Sequence, residues 1–112
     1  MFEFRNLEVY QKSKRFHLMC SEYLHEAKLD RYVRDQLGRA SFSVPLNIAE
    51  GSGKFSKPDR RNFFVISRAS LFECVAIVDI LNEKGDISEI QSQAIITGAD
   101  ELSRILFAMI KN

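Results

Sequence analysis

The residues best suited to nucleophilic or metal chemistry are few: His17, His25, Cys20 and Cys74 are the only histidines and cysteines in 112 residues. Glu22 and His25 form a Glu-x-x-His pair on one helix face, the spacing that di-iron carboxylate bundles use. A complete centre needs a second such pair, and no histidine follows His25, so no metal site is expected. Cys20 and Cys74 fall on apolar stripes and read as small buried hydrophobes rather than nucleophiles. The run Gly51-Ser52-Gly53-Lys54 invites a phosphate-loop reading, but Ile48 occupies the required earlier glycine position and Phe55 replaces the hydroxyl residue after lysine. No strand precedes it either, so a helix-ending glycine followed by a loop accounts for the same residues. With both histidines on one helix, no Ser-His-Asp set is credible. Asn47 and Glu50, near the end of a helix, serve as a polar structural pair more readily than as a catalytic one. No catalytic residue, cofactor or metal is therefore assigned, and the chain is read as a non-enzyme.

Charge is more informative than reactive groups. Lys and Arg total 16 against 15 for Asp and Glu, a formal net charge of +1, which excludes bulk polyanion binding of the histone kind. Resolved along the chain, the sum divides. From 51 to 70 the basic residues Lys54, Lys57, Arg60, Arg61 and Arg68 face Asp59 alone, five against one, or +4. From 71 to 101 seven acids face Lys84 alone, or −6. Two uses fit this polarity: a phosphate-contacting patch with Phe55 available to stack on a base, or head-to-tail complementarity between copies of the chain. An ordinary solvated surface is the third alternative.

The elements that must position these residues are helices. Val9, Ser13, Phe16, Cys20, Tyr23 and Ala27 recur at steps of four and three, predicting a first helix from 7 to about 28, widened by Met19 and Leu24. Val33, Leu37, Ala40, Val44 and Ile48 carry a second stripe that stops at Gly51, a C-terminal signal. Pro45 lies inside it and either kinks or breaks the helix; the stripe keeps phase across the proline, which favours the kink. Ser41, Ser43 and Asn47 stand close enough to take up freed backbone groups. Ser56, Pro58 and Asp59 start a third helix that closes at Gly85. The fourth carries Ile95, Leu102, Ile105, Leu106 and Met109, with Gly98 expected to mark a close helix contact. The prediction is one all-α domain over 1–112, an antiparallel up-down four-helix bundle with a Pro-kinked second helix.

The third helix carries two apolar stripes. One holds Phe63, Ser67, Ser70, Leu71, Cys74, Ile77, Val78 and Leu81. The other, roughly opposite, holds Val65, Ala69, Phe72, Ala76 and Ile80. A bundle helix facing water needs only one, so the second is expected either to lie under the chain's own helices or to meet another copy. The short bundle favours self-association.

Two cysteines suit a reducing cytoplasm better than a disulfide scaffold. The start Met1-Phe2-Glu3-Phe4-Arg5 carries charge at once, unlike a signal peptide. No uncharged apolar run is long enough to span a membrane.

The stretches Asp35-Gln36-Leu37-Gly38-Arg39-Ala40 and Ser43-Val44-Pro45-Leu46-Asn47-Ile48-Ala49-Glu50-Gly51 resemble a known family, as do Phe4-Arg5-Asn6-Leu7-Glu8-Val9-Tyr10-Gln11 and Ser67-Arg68-Ala69-Ser70-Leu71-Phe72-Glu73. It is the four-helix-bundle family first noticed in intervening sequences of bacterial 23S ribosomal RNA genes, sometimes labelled ribosomal proteins. One departure is Ala69, where a glycine commonly precedes Ser70. The resemblance implies an antiparallel four-helix protomer with a proline in the second helix, assembled as a homopentameric ring. It extends to the accessory protein of diversity-generating retroelements, which offers a basic surface to nucleic acid and binds a reverse transcriptase. The resemblance thus implies other copies of the chain as partners, and the charge count makes Lys54, Lys57, Arg60, Arg61 and Arg68 the expected contacts of a nucleic-acid-binding module for RNA or DNA. The alternative is a structural adaptor oligomer that binds another protein without nucleic acid.

Overall fold

The recurring three- and four-residue apolar steps become four helices in the computed structural model, which describes all 112 residues. After a 3-10 turn over Glu3–Asn6 come α1 (Glu8–Glu26), α2 (Arg31–Ser52), α3 (Lys57–Lys84) and α4 (Glu89–Lys111), with no strand. Capping chemistry sets both ends of α3 and the start of α4. The Ser56 hydroxyl accepts from the Asp59 amide at 3.2 Å and Pro58 sits in the first turn of α3. Gly85, at φ 80°, closes the same helix, where the Asp86 amide reaches the Leu81 carbonyl at 2.9 Å. Ser88 accepts from the Gln91 amide to begin α4.

The end of α1 is held from outside. Arg34, in the first turn of α2, donates to the carbonyls of Leu24 and Ala27, which lie in or beside the last turn of α1 and lack helical donors. This side chain is the link that orients the α1–α2 turn, and nothing in the spacing of α1 announces it.

Neighbouring helices run antiparallel. His17 meets Ser41 while Leu24 meets Arg34; Val44 meets Ser67 while Gln36 meets Glu73; Arg61 meets Ile110 while Arg68 meets Ser103. In each pair one number rises as the other falls. α1 packs on α2 and α4, and α3 on α2 and α4, whereas the diagonal pairs stay apart, so the helices form the four corners of a square in chain order. Phe16, Leu37, Val44, Ile48, Leu71, Val78, Ile95, Leu102 and Leu106 fill the centre. Gly98 lies against α1, a Cβ there standing 3.4 Å from Met19 and Phe16, in line with the expected contact.

α2 runs through Pro45 without a break. Asn47 Nδ2 donates to the Ser43 carbonyl at 2.9 Å and Ser41 Oγ to that of Gly38 at 3.2 Å; no side chain reaches the Ser41 carbonyl, which Pro45 deprives of its helical donor. Two serines of α3 dock on the same stretch, Ser67 donating to the Val44 carbonyl at 2.8 Å and Ser70 to Ser43 Oγ at 2.9 Å.

Two expectations are corrected. Gly51 does not end α2: the helix continues to Ser52, and Gly53, at φ −87°, caps it without a left-handed turn. Gly51 is instead buried against α3, where a Cβ would stand 2.8 Å from the Phe64 ring and 2.9 Å from Phe63 Cβ. On α3, Phe64 rather than Phe63 enters the core, and Ile77 is only half-buried. The Phe63 ring turns outward and lies under the Lys54 ammonium at 5.1 Å.

The cysteines are core residues, as their stripes imply. Both are fully buried, on the diagonal helices α1 and α3, between which no Cα pair comes within 8 Å. A disulfide needs Cα atoms about 4.4–6.8 Å apart. Burial pushes the Cys20 thiol up to about 12 and raises Cys74 still further from its ordinary value. An aromatic disulfide reagent is therefore expected to titrate no thiol in the native protein and two after denaturation. Rapid native labelling, or an intramolecular crosslink under oxidant, would show that the diagonal is closer or more open than described.

Candidate nucleic-acid interface

The α2–α3 turn and the start of α3 bring cations together because the loop between them is only four residues long and α4 returns to the same end. Lys54 and Lys57 are exposed; Arg60 is half-buried and Arg61 exposed. Arg60 Nη1 donates to the carbonyls of Lys54 and Phe55 at 2.9 and 2.8 Å, which braces the loop. Lys57 Nζ donates to the Asn112 carbonyl at 3.3 Å, and Arg61 Nε to that of Ile110 at 2.9 Å, tying α3 to the end of α4. Lys111 belongs to the same end, its ammonium 5.9 Å from the Phe107 ring.

The internal carbonyls that hold Arg60 and Arg61 orient these two cations without neutralising them. The ion pairs in the molecule join Lys12 to Glu8 and Glu101, Lys84 to Asp86, and Arg104 to Asp100. None involves Lys54, Lys57, Arg60, Arg61 or Arg68. A carbonyl dipole accepts a hydrogen bond but leaves the full positive charge, so the field at this end persists.

Arg68 stands apart from the other four. It lies seven residues beyond Arg61, about 10 Å along the helix axis at 1.5 Å per residue. Its guanidinium donates to the Ser103 carbonyl at 3.1 Å and lies 4.9 Å from the Phe72 ring and 5.3 Å from that of Phe107. It is the cationic centre of a groove between α3 and α4 lined by Val65, Ala69, Phe72, Phe107 and Ile110.

The second apolar stripe of α3 faces outward. Val65, Ala69, Phe72, Ala76 and Ile80 are all exposed, Phe72 and Ile80 at 58% each, so the chain's own helices do not cover the row. Phe107 and Ile110 extend it across α4, and the stripe read from the spacing of α4 contains neither.

The remaining reactive groups form no site. His17 lies between α1 and α2, with Nδ1 2.9 Å from Ser41 Oγ, Nε2 3.4 Å from Ser21 Oγ and its ring against Phe42. Since Ser41 donates to Gly38, the network fits a neutral imidazole with the proton on Nδ1, and burial lowers the histidine pKa in the same sense. This cluster pairs residues 24 apart, and no local spacing signals it. Glu22, His25 and Glu26 line a hollow beside Gln91, but no three His, Cys, Asp or Glu side chains are grouped closely enough to hold a metal ion. No helix is long and apolar enough to cross a membrane.

Comparison with known proteins agrees with this architecture. The family model described as 23S rRNA-intervening sequence protein matches residues 5–108. The fold is similar to the crystal structure of a protein with unknown function from the S23 ribosomal protein family of Bacteroides thetaiotaomicron. The TM-score is 0.87 at 22% identity, covering 93% of this chain and 99% of that one. At such identity the likeness speaks for the fold alone. No curated protein matches the chain.

Proposed function

The chain belongs to the 23S rRNA-intervening sequence protein family, and on that premise we propose that it is a non-enzymatic module that self-associates and contacts nucleic-acid phosphates. The cations Lys54, Lys57, Arg60 and Arg61 at one end, none of them in an ion pair with Asp or Glu, carry the nucleic-acid part of the reading. The uncovered row on α3 carries the self-association part. Its occupant is a second copy, because the basic start and acidic finish of α3 give copies opposite charges to match along the same surface. A homopentameric ring, as the family resemblance implies, would place one basic end per subunit around an axis and multiply a field that is modest in one chain.

The test is binding of a labelled structured RNA by anisotropy across roughly 50–200 mM salt. Log affinity should fall linearly with log salt, and Lys57→Ala or Arg61→Ala should each weaken binding and reduce the slope by about one. Binding that is absent or indifferent to salt removes the nucleic-acid part. If an oligomeric mass survived that result, the adaptor reading, with another protein as ligand, would take its place.

A further inference from the structure

Phe55 is the most exposed aromatic ring in the molecule, at 101%, and packs against no other ring. Full burial of such a side chain is worth roughly 1.5–3 kcal/mol, and the protomer recovers none of it. Yet the ring does not hang from a slack loop. One guanidinium, that of Arg60, binds the carbonyls on both sides of the Phe55 α-carbon, those of Lys54 and Phe55. The amides of Gly53 and Lys54 close onto Glu50 and Gly51, and Ser56 caps α3 immediately afterwards. The backbone therefore holds the aromatic residue out from the end of the bundle between Lys54 and Lys57, with Arg60 and Arg61 behind it.

A pre-set aromatic face flanked by unpaired cations matches one kind of nucleic acid. A base can lie on a ring only when its own face is free, so stacking platforms serve unpaired strands. A duplex hides its base faces, and its A-form major groove is too narrow for side chains to read. We infer that the basic end binds single-stranded nucleic acid, one unpaired base stacking on Phe55 while Lys54, Lys57 and Arg61 contact the flanking phosphates. Arg60 acts as a positioning residue for the ring. This rests on the phosphate-contact reading above and adds the strandedness and the stacking residue.

The chain has no tryptophan, so Phe55→Trp introduces a single reporter at the point of stacking. The probes are a labelled oligo-uridine strand and an RNA duplex of equal length. Wild type should prefer the single strand. Phe55→Ala should weaken that binding by roughly 5- to 100-fold with an unchanged salt slope, the range set by loss of one stacked base. Phe55→Trp should retain affinity, with its emission quenched as the strand binds. Arg60→Lys should weaken single-strand binding with the slope retained, because it keeps the charge and loses the two-carbonyl brace. If Phe55→Ala leaves affinity intact while Arg61→Ala still lowers it, stacking is overturned and the electrostatic reading survives. If wild type binds neither probe, both fall. A lower mass for Phe55→Ala by light scattering would instead assign the ring to contacts between copies and overturn the inference.

Discussion

Gly51→Ala is expected to destabilise the bundle by about 1–3 kcal/mol, the range for an extra methyl forced into a packed interior. The direction is the informative part, because alanine is better than glycine inside a helix by roughly 1 kcal/mol. If only helix propensity mattered, the substitution would stabilise. Gly51 occupies the last turn of α2, buried where that helix crosses the start of α3, and an added Cβ would stand 2.8 Å from Phe64 Cε1 and 2.9 Å from Phe63 Cβ. The Phe64 ring can swing aside. Phe63 Cβ cannot, being one bond from the backbone of α3, so relief requires the two helices to separate. Denaturant unfolding should give a lower midpoint at an unchanged m-value. Phe64→Leu in the Gly51→Ala background should recover only part of the loss, since the collision with Phe63 remains. A stabilised Gly51→Ala would mean that α2 and α3 do not approach this closely. Lys54 and Phe55 follow within four residues, so a shift here also moves the loop that carries the basic end.

Gly51 also shows why the sequence was legible in outline and ambiguous in detail. A glycine after the last periodic apolar residue looks the same whether it ends a helix or admits a neighbouring one; only the position of α3 separates the cases. Phe63 and Phe64 are one residue apart, about 100° on the helix, and a stripe drawn from spacing alone can run through either. The unbroken α2 was readable because the stripe through Val44 and Ile48 keeps phase across Pro45, and phase is a property of sequence. The exposed row on α3 was readable for the same reason. The charge count from 51 to 70 was right about sign but joined Arg68 to a cluster from which helical rise separates it; its partners, Phe107 and Ser103, come from α4. Arg34 over the end of α1 and Ser41 beside His17 depend on how the helices turn back on one another. Periodicity within a helix contains no such term.

Phe72→Glu is expected to dissociate the proposed assembly while leaving the protomer folded, reducing the mass in light scattering to the 12.9 kDa of one chain. The residue is 58% exposed and lines both hollows on the α3–α4 surface, one with Leu71, Val75 and Ile96, the other with Val65 and Phe107. It is thus shared by both hollows and is the anchor that the proposed self-association would use. Losing a central aromatic typically costs an interface 2 kcal/mol or more, and a buried carboxylate adds its desolvation. In a closed assembly of identical copies the loss recurs at every contact, so the population should shift sharply rather than broaden. The protomer should tolerate the change: substitutions at exposed positions usually stay within about 0.5 kcal/mol, and Arg68, already over the Phe72 ring, lies within reach of the new carboxylate. Ala76→Glu, one helical turn along the same row, should act in the same direction. On the proposed function, dissociation should weaken RNA binding as well, by removing simultaneous engagement of several basic ends, while each protomer keeps the phosphate contacts proposed for it. A Phe72→Glu protein that retains the wild-type oligomeric mass would move the interface off this row. A wild type that is monomeric at micromolar concentration would leave the row's exposure without the occupant proposed for it, and would confine the basic end to the field of one chain.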